Sequence, residues 1–115
     1  MRRKGYPYSG VLGAFPRVLG HYVRARKLIS LENAVRRMTF ASADRFGLKE
    51  RGGLEPGKAA DIVVFDHQTI SDLPPVSDQP ARRPTGIRHV FLNGVHAVND
   101  GVYIHGVRAD RVLRV

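Results

Sequence analysis

The sequence contains no cysteine and no tryptophan among its 115 residues. Without cysteine the chain cannot form a disulfide framework, a thiolate zinc site or an iron–sulfur cluster, and it has no cysteine nucleophile. Long apolar runs are also missing: stretches such as Ile62–Phe65 fall far short of the roughly 18 residues that a membrane span needs. Charged Met1–Lys4 is followed by residues rich in Gly and Pro, so we expect no export signal and a cytoplasmic location.

The positive charge is confined to the first half of the chain. Residues 1–51 hold 12 Lys and Arg against 3 Asp and Glu, whereas residues 52–115 hold 7 of each, so the whole net charge of +9 belongs to the first half. A basic surface can attract nucleic acid, but aromatic residues do not alternate with the arginines as single-strand stacking requires. We therefore keep a small basic nucleic-acid-binding protein only as an alternative.

The first half predicts helices after a short lead-in. Residues 1–14 show little periodicity and are interpreted as irregular. Apolar residues at helical spacing then predict a helix from Phe15 with Pro16 in its first turn and Gly20 at a close contact. Its apolar stripe consists of Phe15, Val18, Leu19, Tyr22 and Val23.

Two shorter helices are predicted to complete a helical segment over residues 15–50. Ser30 is a candidate N-cap of the second helix, and Ser42 is the candidate start of the third. Gly47 is the expected residue just beyond the end of the third helix. The apolar stripe of the second helix consists of Leu31, Ala34, Val35 and Met38.

Residues 51–115 change to the pattern of strands and turns. Ile62–Phe65 predicts a short, fully buried strand, and residues 67–86 form a loop rich in Pro. Asn93-Gly94 between two apolar runs predicts a β-hairpin with a type I′ turn, in which Leu92 lies opposite Val95 and Val90 opposite Ala97. A further turn is expected at Asn99-Asp100-Gly101. Both hairpin faces are partly apolar, so the sheet requires more cover than this chain supplies.

Two motifs in the sequence resemble the amidohydrolase superfamily. The segment Gly53–Asp66, with its Glu-Pro-Gly-Lys-Ala-Ala-Asp motif, is similar to the superfamily's C-terminal signature, where the chain leaves a metal-bearing β/α barrel for a small β-sandwich. The segment Ala14–Arg24, with Phe-Pro-Arg-Val-Leu-Gly, resembles the region just after the active-site aspartate in the N-acyl-D-amino-acid deacylases, or D-aminoacylases. Gly86–Gly94 and Arg111–Arg114 fit the end of the same family, so the resemblance covers residues 13–115.

The resemblance implies an α+β chain that is the C-terminal part of such a deacylase. Two to three helices over 15–50 would end the metal-dependent barrel, and residues 51–115 would form a partial β-sandwich with a hairpin. The parent reaction is zinc-dependent hydrolysis of a non-peptide C–N amide bond. The implied partner is the missing barrel half or a second copy of the chain, and an alternative is a C-terminal subunit that completes a split amidohydrolase.

The residues that would perform this reaction are missing from the sequence. The family binds zinc through His-x-His, a Cys, further His residues and an Asp ahead of the Phe-Pro-Arg segment. This chain has no His-x-His, no Cys and no Asp within Met1–Leu12. We therefore predict no catalytic, cofactor-binding or metal-ligating residue in the chain, and no activity of the chain by itself, although zinc is expected in the full-length family.

The remaining candidate residues have plainer structural explanations. Asp61 is expected to accept backbone N–H bonds in the turn before its strand, a role that suits acid–base chemistry poorly. His89 and His96 share a hairpin face and could chelate a metal with a third ligand, but no Asp, Glu or further His is close in the pattern, so we interpret them as sheet-face residues. The other residues weighed are His21, interpreted as a surface or packing residue, Ser42, interpreted as a cap, and Ser9, which lacks a nucleophile-elbow pattern.

Overall fold

The chain folds into helices followed by an antiparallel sheet. The computed structural model describes residues 9–73 and 82–113. In that part of the chain, the helices are α1 (Ser9–Arg17, continued by a π-helical segment, Val18–Ala25), α2 (Leu31–Met38) and α3 (Phe40–Arg45), and the strands are β1 (Ile62–Phe65), β2 (Ile87–Leu92), β3 (Val95–Asn99) and β4 (Val102–Tyr103). The predicted α+β class, with two to three helices before a sheet that contains a hairpin, is confirmed. None of the helices in the described ranges combines the length and the apolar composition that a bilayer crossing requires.

The first helix begins earlier than its sequence pattern indicates. It starts at Ser9, so the prediction of an irregular lead-in is wrong for residues 9–14, and residues 1–8 lie outside the described part. Pro16 is therefore the next-to-last residue of α1 rather than part of a first turn. Because Pro has no N–H to donate, it interrupts the helical hydrogen-bond ladder, and the helix continues in the wider π-helical geometry from Val18 onwards.

The ends of α2 and α3 follow local capping rules, with one exception. Ser30 caps α2 by accepting the backbone N–H of Asn33 at 3.2 Å, as predicted. Gly47, at φ +73°, lies just beyond α3, where its N–H and that of Leu48 bond to carbonyls of the last turn, as predicted. The predicted cap Ser42 is wrong, because α3 begins at Phe40 and the Ser42 hydroxyl donates to the Arg37 carbonyl at 2.7 Å.

The core lies between the first two helices and the segment that follows β1. Its most buried members are Leu19, Val23, Ala34 and Ile70. The predicted stripe of α2 packs there as expected. The stripe of the first helix is only partly confirmed, because Phe15 and Tyr22 are 64% and 41% exposed. The partly buried apolar residues around the core are Val18, Ile29, Leu31, Val35, Met38, Phe65 and Ile87.

The described strands form one sheet in the order β1-β2-β3-β4. Asn93 and Gly94 have φ of +48° and +80°, as a type I′ turn requires, and Leu92 pairs with Val95 as predicted. The predicted pairing of Val90 with Ala97 is wrong. A β-bulge between Val90 and Phe91 makes Val90 pair with Val98, which leaves Ala97 as the extra residue. The predicted second turn is present, with Asp100 and Gly101 both at positive φ between β3 and β4.

Strand β1 is the clearest departure from the sequence-based expectation. It was predicted to be fully buried, but Val63 and Val64 are 54% and 44% exposed, so that prediction is wrong for this chain. Successive residues of a strand point to opposite faces. Both faces at the centre of β1 are therefore open, and among the described strands only β2 pairs with it.

The loop predicted over residues 67–86 is anchored at both ends. Asp66 Oδ1 accepts the backbone N–H of Gln68 at 2.8 Å, which closes a tight turn after β1. This bond is the main reason that the pKa of Asp66 lies below its ordinary value. Ile70 then enters the core, and Ser71 bridges to Thr85 on the returning chain. Three of the loop's four prolines, Pro74, Pro75 and Pro80, lie outside the described residues.

Candidate functional site

The signature aspartate lies in a polar cluster that connects the helical half to the sheet. Asp61 Oδ1 accepts the backbone N–H of Asn93 at 2.8 Å, and its Oδ2 forms an ion pair with Arg51. Arg51 also donates to Asn93 Oδ1 at 2.8 Å. The Asn93 side-chain amide in turn donates to the Ala109 carbonyl. We call Arg51, Asp61 and Asn93 the joint cluster, because they come from the segment after α3, the position just before β1 and the β2–β3 turn.

Local turn chemistry places these three side chains. Gly57, at φ +88°, occupies the position of the Glu55–Lys58 turn that favours glycine, and Lys58 N–H donates to the Glu55 carbonyl at 3.1 Å. The chain then returns, because Ala59 N–H donates to the Glu50 carbonyl at 2.9 Å. The type I′ turn of the hairpin presents the N–H of Asn93 to the carboxylate of Asp61.

The geometry of the joint cluster favours a structural role. The side chains of Arg51 and Asp61 are only 19% and 31% exposed, and both carboxylate oxygens of Asp61 already have donors from this chain. The expected type of bond, a backbone N–H donated to Asp61, is present. Its donor is different from the predicted one, because it belongs to the hairpin turn 32 residues later and not to the turn that precedes β1.

The two hairpin histidines contact each other, and the described residues place no third possible metal ligand in a group with them. Nδ1 of His89 lies 3.3 Å from Nε2 of His96, and the His96 ring stacks on Phe91 with centroids 4.5 Å apart. The backbone N–H of Asp100 also points to Nδ1 of His89 at 3.5 Å. Within residues 9–73 and 82–113, no three His, Asp or Glu side chains come together in a group that could hold a metal ion. Since hydrolytic zinc takes three protein ligands, the described residues do not fit such a centre.

The remaining candidates lie on the helices. His21 makes an edge-on contact with the Tyr22 ring at 4.9 Å between centroids, as a packing residue would. Ser42 is engaged with the Arg37 carbonyl, and Ser9 is the first residue of α1. The prediction that the chain has no catalytic residue remains a prediction.

A second set of long-range contacts fixes the first helix to the loop after β1. Arg24 donates to the carbonyls of His67 at 2.8 Å and Ile70 at 2.7 Å. The predicted close contact at Gly20 is confirmed, since a Cβ at this position would lie 2.4 Å from the Ile70 carbonyl oxygen. Arg17 pairs with Asp72 at 3.1 Å, and this hydrogen bond raises the pKa of Arg17.

The contacts of Arg24, Arg51 and the Asn93 side chain were not predicted from the sequence. The bonds from Arg24 and the Arg51–Asn93 bond join residues more than 40 positions apart. The Arg51–Asp61 and Asn93–Ala109 contacts span fewer residues. The only available signal was indirect: Arg and Asn beside turn-rich segments supply donors for exposed carbonyls and carboxylates.

Comparison with known proteins connects this geometry to one family. A family profile described as "Amidohydrolase family" matches residues 6–98. The D-aminoacylase of Alcaligenes xylosoxydans xylosoxydans is 44% identical over 107 residues, and the N-acyl-D-glutamate deacylase of the same organism is 42% identical over 109 residues. These matches cover 93% and 95% of this chain but 22% of each relative.

Solved structures match the chain in shape as well. A D-aminoacylase studied for its binuclear metal centre matches with a TM-score of 0.87 at 44% identity, over 96% of this chain and 23% of the other. The N-acyl-D-glutamate deacylase of Bordetella bronchiseptica, solved with zinc and a phosphonate inhibitor, gives 0.75 at 46% identity, over 80% and 19%.

The comparisons confirm the predicted resemblance and limit its extent. The chain spans about a fifth of the length of the relatives it matches. The prediction that the sequence corresponds to only part of a deacylase is therefore confirmed. That this part is the C-terminal one, and that residues 51–115 are half of a sandwich, remain predictions.

Proposed function

The chain belongs to the amidohydrolase family, and from this premise we propose that it forms the C-terminal part of an N-acyl-D-amino-acid deacylase. The parent reaction is zinc-dependent hydrolysis of the amide bond that joins an acyl group to a D-amino acid. The observation that carries the proposal is 44% identity to a D-aminoacylase over 93% of the chain, with a TM-score of 0.87 for a solved D-aminoacylase. We also propose that this part functions in the cytoplasm.

In this proposal the 115 residues stabilise the fold and supply no catalytic group. The joint cluster holds the helical segment against the sheet, and the contacts of Arg24 hold the first helix against the loop after β1. The zinc ligands would come from the polypeptide that corresponds to the rest of the relatives. The absence of Cys and His-x-His from the sequence supports this division of roles.

The proposal is tested by an activity assay on the purified chain. The chain is incubated with added zinc and an N-acyl-D-amino acid, and free D-amino acid is measured by chromatography, with the Alcaligenes D-aminoacylase as the positive control. We expect no release above the buffer blank. Release by the chain alone that a chelator abolishes would contradict the proposal.

A second candidate is a subunit that completes a separately encoded barrel half. The exposed Val63 and Val64 on an apolar strand favour it, because such a strand is usually covered in a complete sheet. Co-expression with the unmatched four-fifths of the Alcaligenes D-aminoacylase tests it, and zinc-dependent release of D-amino acid by the pair, but by neither part alone, is the expected result.

A further inference from the structure

We propose that Asn93 is a deamidation site that the joint cluster keeps latent. While the hairpin turn stays docked on Arg51 and Asp61, the side-chain amide of Asn93 is protected. When the joint opens, the amide can react, and the product no longer restores the original contacts. The inference goes beyond the proposed function, because the reaction needs only this chain and water.

Asn93 stands in the sequence context in which this reaction is fastest. The backbone nitrogen of the following residue attacks Cγ of the asparagine, and a side chain on that residue hinders the attack. Asn93 is followed by Gly94, which has no side chain, whereas Asn99 precedes an aspartate and Asn33 an alanine. Asn93 is therefore the most susceptible asparagine of the chain when the backbone is free to move.

The reaction is balanced with water as the only co-reactant. The Gly94 nitrogen forms a bond to Cγ of Asn93, the Cγ–Nδ2 bond breaks, and ammonia leaves with the proton of the Gly94 N–H. Water then opens the resulting succinimide ring. Attack of water at Cγ gives aspartate at position 93. Attack at the main-chain carbonyl gives isoaspartate, in which the backbone runs through Cβ and Cγ.

The geometry of the type I′ turn blocks the first step. The ring closes only if the Gly94 nitrogen and Cβ of Asn93 lie on the same side of the Asn93 Cα–C bond. The first central residue of such a turn has ψ at about +30°, which places the two atoms on nearly opposite sides. Asn93 and Gly94 have the φ values of this turn, +48° and +80°. The Gly94 N–H also donates to the Ala60 carbonyl at 2.9 Å, so the attacking nitrogen is engaged elsewhere.

The joint cluster holds the Asn93 amide away from the attacking nitrogen. Asn93 Oδ1 accepts from Arg51 at 2.8 Å, and Nδ2 donates to the Ala109 carbonyl. The backbone N–H of Asn93 donates to Asp61 at 2.8 Å. The bond from Arg51 draws electron density from Cγ and favours attack. The protection therefore comes from the position of the amide and not from its reactivity.

Neither product restores these contacts. A carboxylate donates no hydrogen bond, so aspartate at position 93 has no donor for the Ala109 carbonyl. It also adds a negative charge beside Asp61, which already pairs with Arg51. Isoaspartate lengthens the backbone of a two-residue turn whose length sets the register of the hairpin. Deamidation thus opens the joint in one direction only.

The test measures loss of the Asn93 amide in the full chain by peptide mapping and mass spectrometry, at neutral pH with and without urea. Fragment ions separate Asn93 from Asn99, which is the internal reference. We expect the amide of Asn93 to be lost at least about tenfold more slowly in the folded chain than in the urea-unfolded chain, because the reaction requires opening. Equal rates in the two states would overturn the inference.

Variants that stay folded by circular dichroism assign the protection to the joint. Asp61→Ala removes the acceptor of the Asn93 N–H and should raise the folded-state rate by about tenfold or more. The matched control Asp44→Ala removes an exposed carboxylate of α3 and should leave the rate unchanged. Ile70→Ala weakens the core and not the joint. No acceleration by Asp61→Ala, or equal acceleration by Ile70→Ala, would contradict the inference.

If Asp61→Ala does not fold, the parent chain in urea below its unfolding midpoint replaces it. Opening of the joint exposes less surface than global unfolding, so the rate should rise with urea along a shallower slope. A rate that ignores urea, or one that follows the global slope, would each refute protection by the joint.

The effect on the joint is tested on the product itself. The deamidated chain is separated by ion exchange through its added negative charge, and its urea midpoint is compared with that of the parent. We expect a lower midpoint, which Asn93→Asp should reproduce. The matched control Asn99→Asp makes the same charge change at an exposed position of β3 and should shift the midpoint much less. Equal shifts in the two variants would assign the effect to charge alone and overturn the role of the joint contacts.

Discussion

Substitution of Asp61 tests whether the signature carboxylate stabilises the joint between helices and sheet. Asp61→Ala removes the acceptor of the Asn93 N–H at 2.8 Å and the partner of Arg51. A hydrogen bond to a charged group contributes about 1.5–3 kcal/mol. The ion pair is partly exposed, at 19% and 31%, and adds up to about 1 kcal/mol. We therefore expect the free energy of unfolding to fall by about 1.5–4 kcal/mol, measured by urea titration with far-UV circular dichroism.

Two further variants separate the hydrogen bond from the charge. Asp61→Asn keeps an oxygen that can accept the Asn93 N–H, so it is expected to lower the free energy of unfolding less than Asp61→Ala does. A double-mutant cycle of Asp61→Asn with Arg51→Met isolates the ion pair, for which we expect a coupling of about 0.5–1 kcal/mol. If Asp61→Ala changes the free energy of unfolding by less than about 0.5 kcal/mol, as an ordinary surface substitution does, the joint cluster does not stabilise the fold.

Three further predictions concern the core, a glycine contact and pH. Ile70 is 2% exposed, and Ile70→Ala should lower the free energy of unfolding measured by urea titration by about 2–5 kcal/mol. Leu54 is 76% exposed, and Leu54→Ala should change it by no more than about 0.5 kcal/mol. Equal effects would contradict the assigned core. Gly20→Ala should lower the thermal midpoint, because the added Cβ would lie 2.4 Å from the Ile70 carbonyl oxygen. This clash should outweigh the helix preference of Ala, which exceeds that of Gly by up to about 1 kcal/mol. A raised midpoint would refute the contact. The Gln68 N–H lowers the pKa of Asp66 in the folded chain, so its stabilisation is present above the ordinary carboxyl pKa and is lost as the pH falls through the folded value. Asp66→Asn should therefore lose less stability than the parent on acidification below about pH 4, and parallel pH profiles of the thermal midpoint would count against this assignment.

Local sequence rules predicted those parts of the fold that depend on a few adjacent residues. The cap at Ser30, the Gly47 helix end and the Asn93-Gly94 turn all depend on interactions within five residues, and all three are present. The same kind of rule failed at Ser42 and Pro16. Thr39 precedes α3 and Ser42 lies inside it, while Pro16 is accommodated late in a helix because the ladder changes to the π pattern after it.

The contacts that hold the halves together could not be predicted from one sequence. Arg24 reaches carbonyls 43 and 46 residues away, and Arg51 reaches an amide oxygen 42 residues away. Carbonyl acceptors are present on every residue, so sequence alone gives no preference for one partner. The bulge that shifts Val90 to Val98 depends in the same way on how the whole sheet is twisted and paired.

The wrong prediction for β1 carries more information than the correct ones. An apolar run with no polar alternation is typical of a strand that is covered on both faces, yet its centre is open in this chain. The residue pattern thus predicts that β1 is covered by further neighbours, which the described residues do not supply. The first helix shows the same difference between pattern and structure, because Phe15 and Tyr22 belong to its apolar stripe but are exposed. The matched D-aminoacylase is about four times longer, so in the deacylase proposed above further polypeptide would be available to cover both surfaces.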